Sequence, residues 1–266
     1  MLLCIDIGNT NIVFGIYKED KLINHWRLRT EKDMTSDELS ILIFNLFSQA
    51  HIENGSIKDI IISCVVPPLL SSFKEFCILS FDREPMIVDY SINTGMSIEY
   101  DNPKEVGADR IVNAVAAYNK YKRELIVVDF GTATTFDYIS SKGAYEGGAI
   151  APGIIISAEA LFQKASKLPR VEIFAKPKTV IAKETMSSIN SGLVYGYAGL
   201  VDGIVERIKK EKGHNITVVA TGGLAPLIKS EAKSIDYIEI FLTLDGLKSV
   251  FELNATDRAQ SGKNGA

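Results

Sequence analysis

The sequence predicts an α/β protein made of two related domains, and two observations support this fold class. Apolar segments of strand length alternate with amphipathic segments of helix length along most of the 266 residues. A pattern of apolar strand, Asp, any residue, Gly, tight turn and second strand occurs in residues 2–17 and again in residues 124–139. Because a chance repeat of the whole pattern is much rarer than one copy, we interpret the halves as related domains that face each other across a nucleotide cleft.

The first copy of the pattern is a predicted β-hairpin at the start of the chain. Its first strand ends at Asp6, and the turn at residues 8–11 reads GNTN. A carboxylate at the end of a buried strand is costly unless it is paired, hydrogen-bonded or bound to a cation. Gly8 allows backbone N–H groups to approach a ligand, and the Asn and Thr side chains add donors. These features suit a nucleotide phosphate with Mg²⁺, but an ordinary hairpin explains this copy alone equally well.

The second copy of the pattern favours the nucleotide-binding interpretation over the ordinary hairpin. Residues 124–139 place Asp129 at the end of an apolar strand, before a turn at residues 131–134 that reads GTAT. Two hairpins of this kind would supply two groups of phosphate ligands and two acids to one nucleotide.

The other elements of the first half follow from local signals of strand alternation, helix capping and proline position. In order, they are a strand at residues 21–30, a helix capped by Thr35 or Ser36, a buried strand at residues 59–66 that opens into a loop at Pro67-Pro68, a helix at residues 69–79 and a short strand at residues 85–88.

Residues 91–109 form a predicted loop, and long loops in folded domains are often functional. The loop and its end contain polar and aromatic candidates for substrate contact, namely Tyr100, Asn102, Asp109 and Arg110.

Residues 107–110, with the sequence GADR, lead into an apolar helix at residues 111–121. A helix N-terminus favours anions and exposes N–H donors. Two roles stay open for Asp109: it caps the helix, or it faces the cleft and acts as a general base.

The second half contains three glycine-rich stretches that allow more than one interpretation. Gly147-Gly148 permits either close backbone packing or the approach of a ligand. The small residues between 192 and 199 would allow another helix to pack closely against this one, either within the chain or across a dimer. Packing in the interior of the chain is the commoner outcome. Residues 221–223, TGG after a strand, resemble a turn that contacts adenosine. Helices are predicted at residues 154–165, 184–208 and 242–251, a strand at 216–220 and an irregular segment at 166–183.

These elements predict domains at residues 1–114 and 115–254, followed by a disordered tail at residues 255–266.

Composition excludes several other classes of protein. Hydrophobic residues make up 46% of the chain, enough for one large or two medium domains with hydrophobic cores. The net charge of −4, without a basic stripe, argues against nucleic-acid binding. The three cysteines and three histidines have no metal-ligand spacing. No signal peptide and no apolar run of about 18 residues is present, so no membrane span is expected and the cytoplasm is the expected location.

Five motifs together resemble those of type III pantothenate kinases in both order and spacing. The resemblance runs from residue 2 to about residue 254, and residues 63–68 and the LTLDGL stretch at residues 242–247 look familial too. The motifs are D-x-G-N-T-N at residues 6–11, G-A-D-R at 107–110, D-F-G-T-A-T at 129–134, G-G-A-I-A-P-G at 147–153 and T-G-G at 221–223.

The resemblance implies the fold of the superfamily of acetate and sugar kinases, heat-shock chaperones and actin. It also implies ATP-dependent phosphorylation of pantothenate at its primary hydroxyl, the first committed step to coenzyme A. The family works as a homodimer and needs K⁺ or NH₄⁺ in addition to Mg²⁺ with ATP.

The resemblance also assigns roles to individual positions. Asp109 matches the catalytic base, Asp129 the ligand of the monovalent cation, and Asp6 a position near Mg²⁺. The ATP-binding positions are Asp6, Ile7, Gly8, Asn9, Thr10, Asn11, Ile12, Val13 and Thr132, and the substrate-binding positions are Tyr100, Gly107, Ala108, Asp109, Arg110 and Thr185.

Two alternative functions stay open at this point. One is a kinase for another small hydroxylated substrate, such as a sugar or acetate, and the GADR loop argues against it. The other is a non-catalytic transcriptional accessory factor. The presence of Asp6, Asp109 and Asp129 together, without a basic stripe, argues against that role. The departures from the family pattern, Cys64 for Ser and Glu146 for an apolar residue, do not affect the proposed chemistry.

Overall fold

Two five-stranded mixed sheets, one in each of two structural units, organise the fold. The computed structural model describes residues 1–166, 168–170 and 176–261, with the backbone alone for residues 256–261. The first unit contains residues 1–97, residues 101–116 and the chain from Leu242, and the second contains residues 98–100 and 117–241. The predicted α/β class with two related domains is confirmed.

The first unit begins with the predicted hairpin and adds strands and helices in alternation. Its elements are β1 (Leu2–Ile7), β2 (Asn11–Lys18), β3 (Lys21–Arg29), α1 (Ser36–Gln49), β4 (Asp59–Cys64), α2 (Pro67–Phe81), β5 (Met86–Ile87), the start of α3 (Ala108–Tyr121) and α7 (Leu242–Ser261).

The second unit begins within α3 and contains the second hairpin. Its elements are β6 (Leu125–Phe130), β7 (Ala133–Ile139), β8 (Tyr145–Pro152), α4 (Ile154–Lys164), α5 (Thr185–Lys212), β9 (Thr217–Thr221), α6 (Ala225–Lys229) and β10 (Tyr237–Ile238).

The two sheets have the same topology. In the first, the order is β3-β2-β1-β4-β5, with antiparallel pairs on one side of β1 and parallel pairs on the other. In the second, the order is β10-β9-β6-β7-β8, which read from β8 is the same arrangement around β6. The carboxyl ends of β1 and β6 therefore occupy equivalent positions, and each is followed by a tight turn.

Local signals explain several element boundaries. Thr35 caps α1 in a capping box: its hydroxyl accepts the Glu38 N–H at 3.3 Å, and its own N–H donates to Glu38 Oε2 at 2.8 Å. The predicted loop at Pro67-Pro68 is wrong, because α2 begins at Pro67. Proline fits the first turn of a helix, where its missing N–H would have no partner within the helix.

The C-terminal segment differs most from the predicted domain boundaries. α7 belongs to the first unit rather than to the second half, and it continues to Ser261 instead of giving way to a tail at residue 255. Its buried apolar side chains face the first sheet, where Leu244 lies against Gly15 of β2. Residues 262–266 of the predicted tail lie outside the described residues.

The small-residue face of α5 does not pack inside its unit. Gly192, Gly196 and Gly199 are exposed, and no described atom lies within 4 Å of the position that a Cβ would take at any of them. The interior packing predicted for this face is therefore wrong.

Among the residues that the structure describes, no helix combines the length and the apolar character that crossing a membrane requires.

Candidate active site

The turn between β1 and β2 is held in a fixed shape by backbone and side-chain hydrogen bonds. The N–H of Gly8 donates to the carbonyl of Asn11 at 3.0 Å. Thr30, just after β3, donates its hydroxyl to the carbonyl of Gly8 at 2.6 Å and its N–H to the carbonyl of Thr10 at 3.1 Å. A Cβ at Gly8 would lie 2.9 Å from the Asn11 carbonyl oxygen, so only glycine fits without a shift. The predicted first phosphate loop is thus a preorganised hairpin turn.

Asp6 lies at the carboxyl end of β1, where its side chain shares a face of the sheet with that of Ser63. The two residues are directly opposite in the parallel register of β1 and β4. Ser63 is fully buried, and its hydroxyl has no hydrogen-bond partner among the described residues. A buried hydroxyl beside a carboxylate suits a hydrated cation that arrives with its ligand. Ser63 is a candidate site residue that the sequence analysis assigns only to a familial stretch, without a role.

Cys64 lies close to Asp6 but has no features of a nucleophile. Its Sγ interacts with the backbone of Val66, with distances of 3.3 Å to the carbonyl and 3.4 Å to the N–H. Burial raises the pKa of the Cys64 thiol, and the negative charge of Asp6 adds to the increase. The thiol therefore stays protonated at neutral pH.

Asp109 lies near the turn that follows β4. The Val65 N–H, just after β4, donates to the carbonyl of Ile7 at 3.0 Å. A Cβ on Gly107 would be 3.7 Å from Val65 Cγ1 and 2.5 Å from Asp109 Oδ1. The glycine at position 107 therefore leaves room for the Asp109 carboxylate beside the turn after β4.

The hydrogen bonds at the start of α3 show whether Asp109 caps this helix. The carbonyl of Gly107 accepts the Ile111 N–H at 3.2 Å, so Gly107 occupies the capping position and Asp109 lies in the first turn. Asp109 Oδ1 accepts the N–H of Arg110 at 2.8 Å, so the carboxylate also stabilises the helix start. Arg110 itself is only 8% exposed. A guanidinium is suited to bind an anionic group, so a largely buried arginine at this position is a candidate for substrate contact.

The second unit repeats the arrangement around Asp129. The N–H of Gly131 donates to the Ala133 carbonyl at 3.0 Å, and the carbonyl of Thr132 accepts the N–H of Gly153 at 3.1 Å. Asp129 lies opposite Thr221 in the parallel register of β6 and β9. The turn after β9 therefore lies directly beside the second phosphate loop.

Gly222, in the TGG turn, shows how close this contact is. Its φ is +92°, which favours glycine, and a Cβ there would lie 2.6 Å from the carbonyl oxygen of Phe130 and 2.9 Å from Asp129 Oδ1. The Phe130 carbonyl oxygen and the Asp129 carboxylate thus lie on the same side of Gly222. Carbonyl and carboxylate oxygens are the ligands that hard cations bind, so these two groups are candidate ligands for a cation.

Tyr100 belongs to the second unit, where it is held against β8. Its ring centroid is 6.4 Å from that of Tyr145, and a Cβ at Gly147 would be 3.4 Å from Tyr100 Cε2. The hydroxyl of the buried Tyr145 donates to Asp137 Oδ1 at 2.7 Å. Gly147 therefore leaves room for the Tyr100 ring, and the Tyr145–Asp137 pair supports it. Neither Tyr145 nor Asp137 had a sequence signal that pointed to this role.

Gly148 has a structural role instead. A Cβ at Gly148 would lie 1.7 Å from the carbonyl oxygen of Phe136 on β7, so the glycine is required by close backbone packing.

Thr185 is the first residue of α5, and it lines a cavity of about 790 Å³ within the second unit. The cavity combines apolar walls with a few polar groups, as sites for small organic molecules do. Its described lining residues are Leu161, Leu168, Ala182, Lys183, Glu184, Thr185, Ser188, Ile189, Gly192 and Leu193.

The predicted site residues fall in two groups, one in each unit. Asp6, the turn at residues 8–11, Gly107 and Asp109 belong to the first unit, and Asp129, at the end of β6, and Thr132, in the turn that follows, belong to the second. Within the described part of the chain, no cluster of three or more His, Cys, Asp or Glu side chains could hold a metal ion.

The topology of the two sheets defines the class of protein by its fold, which is the actin-like fold of two related α/β domains. The solved structure of MreB 5 of Spiroplasma citri bound to AMPPNP matches with a TM-score of 0.57 and 10% identity, and the match covers 98% of each chain. This likeness supports the fold alone, and it agrees with the predicted superfamily.

Sequence comparison defines the family within that class. A family model described as type III pantothenate kinase matches residues 2–207. A type III pantothenate kinase of Syntrophus aciditrophicus is 58% identical over 255 residues, 96% of this chain and 100% of the relative. One of Syntrophobacter fumaroxidans is 59% identical over 254 residues, 96% of this chain and 98% of the relative. The chain therefore belongs to the type III pantothenate kinase family, as its motifs predicted.

Proposed function

We propose that this pantothenate kinase transfers the γ-phosphoryl group of ATP to the primary hydroxyl of pantothenate, with Asp109 as the general base. Family membership supports the reaction, which belongs to coenzyme A biosynthesis and uses ATP with a divalent metal. The observation that supports the assignment of residues is the position of Gly107: a Cβ there would lie 2.5 Å from Asp109 Oδ1 and 3.7 Å from Val65 Cγ1, and the Val65 N–H bonds to the carbonyl of Ile7 at the end of β1. The proposed base is therefore near the end of the strand that precedes the predicted phosphate loop.

Phosphoryl transfer needs positioning and charge neutralisation more than covalent chemistry. In the proposed mechanism, the N–H groups and side chains of residues 9–11 bind phosphate oxygens, while the Gly8 N–H closes the turn on the Asn11 carbonyl. Asp6 beside Ser63 would hold the Mg²⁺ that arrives with ATP, and the ion would supply neutralisation of the charge on the phosphates. Asp109 orients the attacking hydroxyl and accepts its proton, while the buried Arg110 binds an anionic group of the substrate.

The second unit contributes a second phosphate loop and the site of the monovalent cation in this proposal. Thr132 binds a nucleotide phosphate. The adenosine contacts the backbone of the TGG turn, where the two glycines have no side chain. Asp129 binds K⁺ or NH₄⁺ with help from neighbouring carbonyl oxygens such as that of Phe130. The cation would offset negative charge near the phosphates and fix the loop.

The rate of phosphorylation is therefore expected to depend on the monovalent cation through Asp129. Turnover should rise when Na⁺ is replaced by K⁺ or NH₄⁺ at constant ionic strength, and Asp129→Asn should remove this increase because the ligand charge is lost. The measurement is the steady-state rate in each salt. The same rate in Na⁺ and in K⁺ for the unmodified protein would contradict the role of Asp129.

Pantothenate is proposed to contact Tyr100 and Thr185, and the protein is proposed to work as a homodimer. The pocket beside Thr185 supports the contact with Thr185, because its volume and mixed lining suit a small polar molecule. Exposed apolar side chains near the start of α5, such as Ile181, which is 85% exposed, support the homodimer. Sedimentation analysis would show a mass of one chain if the proposal of a homodimer is wrong.

A substrate panel tests the proposed reaction against the two alternative functions. ADP release should be measured by a coupled assay with pantothenate, acetate, several sugars and no acceptor, in K⁺ with Mg²⁺ and ATP. We expect pantothenate alone to stimulate ADP release. Stimulation by a sugar or acetate instead would favour the other kinase, and no stimulation by any acceptor would favour the non-catalytic factor.

A further inference from the structure

The LTLDGL stretch at residues 242–247 has no part in the functions described above, yet it makes the closest contacts of α7. At Gly246, a Cβ would lie 2.0 Å from the carbonyl oxygen of Val112 and 2.9 Å from its Cβ. α7 therefore touches the backbone of α3, and any residue larger than glycine at this point would push the two helices apart.

A hydrogen bond fixes the same helix pair one residue further along α3. Thr243 donates its hydroxyl to Asn113 Oδ1 at 2.8 Å, and Asn113 is 1% exposed. Asn113 lies four residues after Asp109, so the two side chains project from the same side of α3. The contact with α7 thus acts one helical turn away from the proposed base.

Other residues of the LTLDGL stretch contact the first phosphate hairpin, which is formed by β1 and β2 and contains the turn at residues 8–11. Leu244 packs against Gly15 of β2, where a Cβ would be 2.7 Å from Leu244 Cδ1. Tyr17, near the end of β2, donates its hydroxyl to Asp245 Oδ1 at 2.6 Å. Thr243 and Gly246 of α7 therefore contact α3, Leu244 and Asp245 between them contact β2, and all of these contacts lie within the first unit.

We propose that residues 242–247 act as a spacer that fixes α3, and with it Asp109, relative to the first phosphate hairpin. Thr243 and Gly246 are then positioning residues for the phosphoryl transfer, although neither touches the substrate. The inference rests on the proposed function of Asp109 as the base. It gives a role to a motif that is distant in the chain from Asp109 and from the first phosphate hairpin.

The first test removes the hydrogen bond without changing the size of the side chain. Thr243→Val should lower kcat by about 10-fold. A displacement of a catalytic group by about 1 Å can lower the rate by about 10²-fold, so a smaller shift of Asp109 is enough to explain this loss. KM for ATP should not change, because the hairpin keeps its own hydrogen bonds. Thr243→Ser restores the hydroxyl and should recover kcat. Ser249→Ala is the matched control, since the Ser249 hydroxyl bonds only to the Asp245 carbonyl within α7.

The second test separates positioning from general destabilisation by a double-mutant cycle. If Thr243 acts through Asp109, Thr243→Val should lower kcat in the unmodified enzyme but change it less than about twofold in an Asp109→Asn background. The loss of thermal stability should be equal in both backgrounds. Gly246→Ala provides a second variant for the same cycle, with the same expected pattern.

The outcomes distinguish this inference from the proposed function. An equal fold-loss of kcat in both backgrounds, or no loss in Thr243→Val and Gly246→Ala, would overturn the positioning role. If the unmodified enzyme does not phosphorylate pantothenate, or if Asp109→Asn turns over normally, the proposed function itself fails and the positioning role fails with it.

Discussion

Asp109→Asn is expected to keep the fold and lose kcat for pantothenate phosphorylation by about 10²-fold or more, the range for removal of a general base. Asparagine keeps an oxygen that can accept the Arg110 N–H, so the start of α3 should form as before. It cannot accept the proton of the attacking hydroxyl. The measurement is steady-state kcat together with the midpoint of thermal unfolding.

Asp101→Asn is the matched control, because Asp101 is an exposed acid of the same loop and has no proposed role. It should keep turnover within about twofold, as most surface changes have small effects. Near-normal turnover of Asp109→Asn, with the same unfolding temperature as the parent, would show that Asp109 is only a structural acid at a helix start.

Gly148→Ala is expected to have the largest effect on stability. A Cβ at this position would lie 1.7 Å from the Phe136 carbonyl oxygen and 3.1 Å from the Asp137 Cα, and both neighbours are backbone atoms that cannot rotate away. The pairing of β7 and β8 would have to open, so the free energy of unfolding should fall by about 3 kcal/mol. Urea denaturation of the purified variant measures this change.

Gly55→Ala is the control for this prediction, because no described atom lies within 4 Å of its Cβ position. It should leave the free energy of unfolding within about 1 kcal/mol of the parent. Equal stability of Gly148→Ala and Gly55→Ala would mean that β7 and β8 are not packed as closely as described.

The parts of the fold that sequence predicts well are those specified by neighbouring residues. Both hairpins, the buried β4 and the capped α1 depend on apolar runs, turns and caps within about ten residues of each other. The acids at the ends of β1 and β6 were found for the same reason. Their repeat in the sequence is the repeat in sheet topology that the structure describes.

Contacts between distant residues could not be predicted in this way. Nothing local to residues 242–247 indicates that Gly246 meets Val112 or that Tyr17 binds Asp245, 228 residues away along the chain. The domain boundary at residue 114 was therefore placed without α7. The support of Tyr100 by Tyr145 and Asp137 is long-range in the same sense.

The small-residue face of α5 shows a different limit of sequence reasoning. The spacing of Gly192, Gly196 and Gly199 defines a face of the helix, but it does not say whether that face turns toward the core or toward solvent. Leu193, Val194 and Tyr197 occupy the core side of α5, so the glycines point outward.

The most direct test of the central claim is a crystal structure of the protein with a non-hydrolysable ATP analogue, Mg²⁺ and pantothenate. We predict that the terminal phosphate of the analogue lies against the turn at residues 8–11. We also predict that the primary hydroxyl of pantothenate lies within about 2.6–3.2 Å of an Asp109 oxygen, the range for a general base. A pantothenate hydroxyl that lies beyond hydrogen-bond reach of Asp109, with another group beside it, would contradict the account.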